Sequence, residues 1–145
     1  MADQNRLPIA YQIARIKTDK FATYDNVSID ENNITIFANA NFQVSILERS
    51  VRCTFEFGLM SADDKFIELN TSVYFLIEKG SWDILPRVDG KREIPLTFAY
   101  HMTQATLSTA RGILHVKTEG SYLNKFFIPD LNAEDFVKGR LIIEE

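Results

Sequence analysis

The sequence predicts a single α+β domain over residues 1–145, in which a four-stranded antiparallel sheet of Greek-key type carries a long C-terminal helix on one face. Two observations support this class. Apolar and polar residues alternate in four stretches before residue 78, as they do in half-buried strands. Between residues 95 and 118 the apolar residues instead recur every three or four positions, which is typical of a helix. Strands that come first and a helix that comes last favour a layered α+β arrangement.

The four alternating stretches cover residues 9–24, 34–46, 51–60 and 66–77. The second is the most regular, and Phe37 is the one large apolar residue on its polar face. In the first stretch the alternation weakens in the polar run at residues 17–20, where we expect a bulge or bend. The polar segment 24–33 has too little apolar content for a core element, so we expect a surface crossover loop there.

One face of the predicted helix carries apolar residues at helical spacing: Phe98, Met102, Ala105, Thr109 and Ile113. Beside it lies a second face, which we call the small-residue ridge: Ala99, Thr103, Thr106 and Ala110. Small residues let two helix backbones approach closely, so the ridge indicates an oligomer interface, with packing on the protomer's own sheet as the alternative. The tail is ambiguous, although residues 133–138 fit a short helix capped by Asn132.

The composition is that of a globular chain with an acidic balance. Sixteen Lys and Arg residues against 20 Asp and Glu leave a net charge of −4. This argues against nucleic acid as the main partner, because neutralising phosphates requires a basic patch. No apolar run approaches the ~20 residues of a membrane span, and residues 1–6 do not resemble a signal peptide. We therefore expect a cytoplasmic protein without integral membrane association.

The sequence holds no motif for catalysis, metal binding or cofactor binding. His101 and His115 have no Cys or carboxylate at metal-ligand spacing. The G-x-S-x-G motif and the glycine patterns of nucleotide-binding loops do not occur. Cys53 is the only cysteine and belongs to an inward-facing run, which favours an inert core thiol. We therefore expect neither an enzyme, nor a metal site, nor a cofactor.

Four segments of the chain resemble, in the same order, segments of one known protein family. Residues 11–20, Y-Q-I-A-R-I-K-T-D-K, resemble the first strand of that family. Residues 75–78, F-L-I-E, followed closely by a glycine, resemble its F-L-C-E and glycine pair. Residues 98–100 and 110–111 are similar to its P-Y-A-R-E helix, and I-P-D-L-N at 128–132 is similar to its P-P-[IV]-N. Together the four segments span nearly the whole chain, which therefore resembles the SecB-like family of bacterial protein-export chaperones.

The resemblance implies both an architecture and a function. Members of this family are ATP-independent holdases whose protomers assemble as a dimer of dimers, with long helices at the interface. They bind non-native polypeptides along apolar grooves and pass them to the SecA motor. Glu78 matches the family position that contacts SecA, and Asp19 and Asp25 lie where the acidic surface of the family should be. We therefore expect a homo-oligomer with unfolded polypeptides and SecA as its partners.

Five residues form the expected client-binding set: Phe37, Tyr74, Phe75, Leu76 and Trp82. Phe75 and Leu76 match the client-binding strand end of the family. The other three add large apolar surface on or near the polar sheet face, and exposed apolar patches usually mark binding sites. By alternation Phe75 and Leu76 point to opposite faces, so either strand twist brings both to one groove edge or Phe75 belongs to the core.

Two other functions stay open at this point. SecB-like relatives also serve as dedicated chaperones of toxin–antitoxin systems, each holding one unstable antitoxin. A sheet-and-helix domain of this size can instead enclose a pocket for a small ligand. One large closed cavity would favour the small-ligand function, whereas open grooves would favour polypeptide binding.

Overall fold

A computed structural model describes residues 9–143, so the two ends of the predicted domain, 1–8 and 144–145, lie outside it. Four antiparallel strands, β1 (Tyr11–Thr23), β2 (Ile34–Ser45), β3 (Ser50–Ser61) and β4 (Asp64–Ile77), form one sheet in the order β1-β4-β3-β2. Three strands linked by hairpins, with the remaining strand beside the last of them, make a Greek key. The long helix α2 (Leu96–Thr118) packs across β3 and β4. The predicted α+β fold is therefore confirmed.

Strand β1 is the irregular member of the sheet. It pairs with β4 along its length but slips in register twice, between Ile13 and Arg15 and between Thr18 and Lys20. The second slip falls in the polar run where a bulge is expected from the sequence. Each extra residue reverses the alternation of side chains, which explains why the apolar pattern fades along this strand while those of β2, β3 and β4 persist.

The sheet has an apolar face under α2, which we call the inner face. Its fully buried side chains include Val51, Cys53, Phe55, Val73 and Phe75. Burial raises the pKa of the Cys53 thiol to about 11, so the thiol stays protonated at neutral pH. The prediction that Cys53 lies in the core is confirmed. The intervening residues of β3 and β4, which are mostly polar, lie on the opposite face, which we call the outer face.

The small-residue ridge of α2 lies against the inner face of the protomer's own sheet. Its four residues, Ala99, Thr103, Thr106 and Ala110, have no exposed surface. Thr103 and Thr106 face the Cys53 thiol on β3, and their hydroxyls donate to helix carbonyls four residues earlier at 2.9 and 2.8 Å. Assigning the ridge to an oligomer interface is therefore wrong. Its small side chains allow α2 to approach the sheet closely and leave no surface for a second helix.

The buried arc of α2 is centred on this ridge rather than on the face of larger residues. Phe98 and Met102 are buried as expected, but Thr109 and Ile113 are only half-buried. Leu107 and Leu114, which lie on the far side of the ridge, are almost completely buried instead. The helix is thus rotated relative to the sequence-based expectation, and one of its apolar flanks is left partly open.

Short elements that the sequence did not predict complete the layer around α2: α1 (Lys79–Asp83), β5 (Arg87–Val88), β6 (Lys91–Ile94) and β7 (Leu141–Ile142). The three strands form a second sheet in the order β5-β6-β7. Two 3-10 helices, Tyr122–Lys125 and Ala133–Asp135, lie between α2 and β7. The second is capped by Asn132, whose side chain accepts from the backbone N–H of Glu134 at 3.1 Å. The expected cap is present, on a shorter helix.

Candidate functional site

A pocket of about 560 Å³ opens where the turn between β2 and β3 meets β1 and β4. We call it the sheet-end pocket and define it by its eight lining residues: Ala14, Arg15, Leu47, Glu48, Arg49, Ser50, Tyr74 and Leu76. The register slip at Ile13 lets two successive residues of β1 line the same pocket. Leu47 stands in the tight turn and is 92% exposed. The pocket therefore combines open apolar surface with two arginines.

Cationic and aromatic groups are stacked at this site. The guanidinium groups of Arg15 and Arg52 lie over the Tyr74 ring, 5.6 and 5.4 Å from its centroid. A cation–π contact orients a guanidinium without neutralising its charge, and of the two only Arg52 also has an ion pair, with Asp19. Arg49 lines the pocket from the turn with a backbone φ of 53°, in the left-handed region that favours glycine. This end of the outer face is therefore held in place by packing while its positive charge remains available.

A second concavity of about 430 Å³ adjoins the first, between the start of β1, the end of β4 and α1. Arg49 and Leu76 line both concavities, so the two form one continuous surface. Glu78 and Lys79 stand at its far side. The backbone N–H of Glu78 donates to the carbonyl of Ala10 at 2.9 Å, which ties the end of β4 to the residue before β1.

The middle of the outer face is closed by a polar network. Arg52 contacts Asp19 through Nη2 and Oδ1 at 2.7 Å, and its Nε donates to Oγ of Ser72 at 3.1 Å. Ser72 in turn donates to Asp19 and lies 2.8 Å from the hydroxyl oxygen of Thr54. The side chain of Asp19 is only 18% exposed. Its carboxylate is therefore engaged inside the protomer.

A second network lies further along the outer face, around Glu68. Lys20 and Lys65 both contact its carboxylate, and the hydroxyl of Tyr24 lies 3.3 Å from Oε1. Hydrogen bonds from Lys20 and then from Lys65 lower the pKa of Glu68 to about 2. The carboxylate is therefore ionised at any physiological pH and joins β1 to β4 electrostatically.

The expected client-binding set is divided by the sheet. Tyr74 and Leu76 line the sheet-end pocket, as the sequence predicted for the polar face. Phe75 is fully buried on the inner face and Trp82 is 3% exposed in α1, so both belong to the core and their assignment to a client surface is wrong. Phe37 is exposed, but it lies on β2 opposite Gly58, far along the sheet from the pocket. Strand twist does not bring Phe75 to the surface.

The three acids expected to contact SecA do not form one cluster. Glu78 follows the end of β4, Asp19 lies mid-strand in the polar network, and Asp25 is exposed just after β1. The register of β1 and β4 places Glu78 and Asp25 near opposite ends of the pair, more than ~30 Å apart at 3.3 Å per residue. Of the three, only Glu78 adjoins the sheet-end pocket.

A further apolar surface, which we call the edge groove, lies between β1 and α2. Thr18, Thr109, Ile113 and Val116 line a concavity of about 460 Å³ there. Because α2 covers β3 and β4, the inner face of β1 is left open, and Ile16 on that face is 53% exposed. The edge strand and the apolar flank of the helix therefore share one exposed surface.

Arg15, Leu47 and Arg49 are the site residues that sequence reasoning missed. One signal was available in the sequence, since Ile46 and Leu47 place two large apolar residues inside a turn, where they have nothing to pack against. The two arginines gave no comparable signal. They converge only because the turn folds back over the ends of β1 and β4.

Comparisons with protein-family models and with curated proteins find no match to this chain. In the part of the chain that the structure describes, no helix is long and apolar enough to cross a membrane. Across the same residues, no group of three or more His, Cys, Asp or Glu side chains is arranged to hold a metal ion. Function therefore has to be argued from the two apolar surfaces and their charges.

Proposed function

We propose that this chain is an ATP-independent chaperone of the SecB-like kind, a holdase that binds non-native polypeptides destined for Sec-dependent export. The observation that carries the proposal is the sheet-end pocket, where Leu47, Tyr74 and Leu76 offer contiguous apolar surface to solvent. Contiguous apolar patches on a folded domain mark binding surfaces, whereas single exposed residues do not.

The shape of these surfaces favours an extended polypeptide over a small ligand. The sheet-end pocket, its neighbour and the edge groove are all open to solvent rather than enclosed. An open surface buries only part of a small molecule, but it suits a chain that makes many weak contacts along its length. Several such surfaces in one assembly would raise the overall affinity through effective concentration.

The proposed assembly is a dimer of dimers. Its protomers meet at the edge of β1 and not at the small-residue ridge. Among residues 9–143, no strand pairs with the outer edge of β1, which is thirteen residues long and flanked by Ile16 and the edge groove. A second copy can pair with this edge antiparallel about a two-fold axis, which satisfies both edges at once.

The export branch of the proposal places the protein in the cytoplasm and assigns Glu78 to the contact with SecA. This carboxylate is exposed and adjoins the sheet-end pocket, so a motor bound there would lie next to the client. Asp25 is exposed but distant, and Asp19 is engaged by Arg52. We therefore expect Glu78 to contribute more than the other two acids.

Aggregation of a diluted unfolded client, followed by light scattering, tests the proposal. The unaltered protein should suppress aggregation without ATP, and its mass should be that of four protomers. Leu76→Ser should weaken suppression while the protein stays folded, because Leu76 lies outside the core and is incompletely buried. Gln104→Ser, on the exposed face of α2, is the matched control. Absence of suppression by the unaltered protein would contradict the holdase function, and a monomer mass would contradict the assembly.

A further inference from the structure

We propose that the sheet-end pocket selects polypeptide segments in which a carboxylate side chain stands beside a large apolar one. This inference rests on the proposed holdase function, since it names the kind of client segment that the pocket prefers. Two arginines would hold the carboxylate, and Leu47 and Leu76 would pack against the apolar neighbour. The chain has a net charge of −4, so a preference for acidic segments has to come from local structure.

Both arginines of the pocket keep their positive charge unneutralised. Among residues 9–143, no carboxylate lies within ion-pair distance of Arg15 or Arg49. Glu48 lines the same pocket without pairing with either. The pKa of Asp83 is lowered mainly by a hydrogen bond from Lys79, at 2.7 Å, and only in smaller part by Arg49. Asp83 is thus already engaged by a lysine.

Arg52, on the same outer face, shows how an arginine over the Tyr74 ring binds a carboxylate. It lies over the same Tyr74 ring as Arg15, but its guanidinium is bonded to Asp19 and Ser72. A carboxylate from a second polypeptide would give Arg15 the kind of partner that Asp19 gives Arg52. Arginine is suited to this role because its planar guanidinium can bind a carboxylate through two parallel hydrogen bonds.

Arg49 lowers the stability of the free protein in two ways. Its φ of 53° is strained for any residue with a side chain. Its Nε is buried, and no acceptor among the described residues lies within hydrogen-bond distance of it. A buried donor without a partner is unfavourable until something bonds to it. Binding of a carboxylate in the pocket would turn the guanidinium of Arg49 toward this acceptor, and an apolar neighbour at Leu47 would exclude water from the bond.

Fluorescence anisotropy with three labelled decapeptides tests the preference. The peptides are identical except for the residue between two leucines, which is Asp, Asn or Lys. We expect the Asp peptide to bind about tenfold more tightly than the Asn peptide, the effect of one charge-assisted hydrogen bond. The Lys peptide should bind most weakly of the three. Sodium hexanoate, which carries the same two chemical groups on a small molecule, is tested as a competitor.

Two substitutions test whether the preference for the Asp peptide depends on the arginines of the pocket. Arg49→Gly should remove most of the Asp preference while the melting temperature stays equal or rises, because glycine adopts a φ of 53° without strain. Arg15→Gln, in an exposed residue, should reduce the same preference and leave folding intact. Lys138→Gln removes one positive charge from an exposed position outside the pocket and serves as the matched control. The control should keep the full preference.

The outcomes are distinguishable from failure of the holdase proposal. Equal affinity for the Asp and Asn peptides, together with normal suppression of aggregation, overturns the acidic preference and leaves the holdase. An Asp preference that survives in both arginine variants also overturns it. Displacement by hexanoate at concentrations similar to that of the peptide would assign the pocket to small carboxylates instead. An Asp preference that depends on Arg49, in a protein that does not suppress aggregation, supports the pocket and contradicts the holdase.

Discussion

The inner and outer faces of the sheet are built from alternate residues of the same strands, yet they are stabilised in opposite ways. On the inner face Val73 and Phe75 are completely buried under α2 and its neighbours. On the outer face Ser72 is equally inaccessible, but it is covered by the polar network of Arg52 and Asp19. Apolar area stabilises one face, and hydrogen bonds between side chains organise the other.

This difference shows where a binding surface can lie. Under α2, the inner-face residues of β3 and β4 are fully used in core packing and have no surface left for a ligand. The outer face is closed only where its long polar side chains pair with one another. At the end of β4 this pairing stops, and the pocket is lined by Tyr74, Leu76 and Arg15, which has no ion pair within the described part of the chain. The binding surface therefore begins where the polar network ends.

The largest expected effect comes from placing a charge on the inner side. Ala110→Glu buries a carboxylate that has no partner between α2 and the sheet. We expect it to cost more than ~4 kcal/mol and to prevent stable folding. Thermal unfolding followed by circular dichroism measures this, with Gln104→Glu on the exposed face of α2 as the control. If Ala110→Glu folded and only its oligomer mass fell, the small-residue ridge would have to lie at a contact between protomers and not in the core.

An intermediate loss of stability is expected when Phe75 and Leu76, neighbours on opposite faces of the sheet, are each replaced. Phe75→Ala should lower the free energy of unfolding by ~3–5 kcal/mol, because it leaves a cavity in the core. Leu76→Ala, one residue later, should cost only about 1–2 kcal/mol, since its side chain is incompletely buried and leaves no enclosed cavity. Urea titrations of both variants give the two values. Similar values for both variants would contradict the assignment of Phe75 to the core and Leu76 to the pocket.

The smallest loss of stability is expected from a substitution on the outer face of the sheet. Glu68→Gln removes the carboxylate that Lys20 and Lys65 share, and we expect a loss of no more than ~1 kcal/mol, because solvent screens the half-exposed Lys20. The lowered pKa of Glu68 stabilises the fold above pH 4.5, and this contribution is lost as the pH falls toward 2. Melting temperatures of the unaltered and variant proteins should therefore converge over that range.

Glu134→Gln, at an exposed position without an ion pair among the described residues, is the control for the pH experiment. It should leave the pH dependence of the melting temperature unchanged. A gap between the unaltered protein and Glu68→Gln that stays constant from pH 7 to pH 2 would show that Glu68 acts through packing rather than through its charge.

Helices and strands whose apolar residues recur at a regular spacing could be predicted from the sequence, whereas very short elements could not. Strand β2 and the bulge in β1 followed from alternation, since one buried face imposes a period of two along a strand. The two-residue strands β5 and β7 are too short to show any period, and they form because β6 lies between them. Trp82 was placed in a loop near the surface, but α1 turns its side chain into the core.

The sequence by itself determined the class of the fold, the side of the sheet to which Tyr74 and Leu76 point, and the burial of Cys53, because each depends on a period along one strand. Only the tertiary structure decided which face of α2 lies on the sheet. Helical spacing defines two adjacent faces but not their partner, and the close approach of Thr103 and Thr106 to Cys53 selects one. The convergence of Arg15 and Arg49 was likewise decided by strand order, which brings distant residues together.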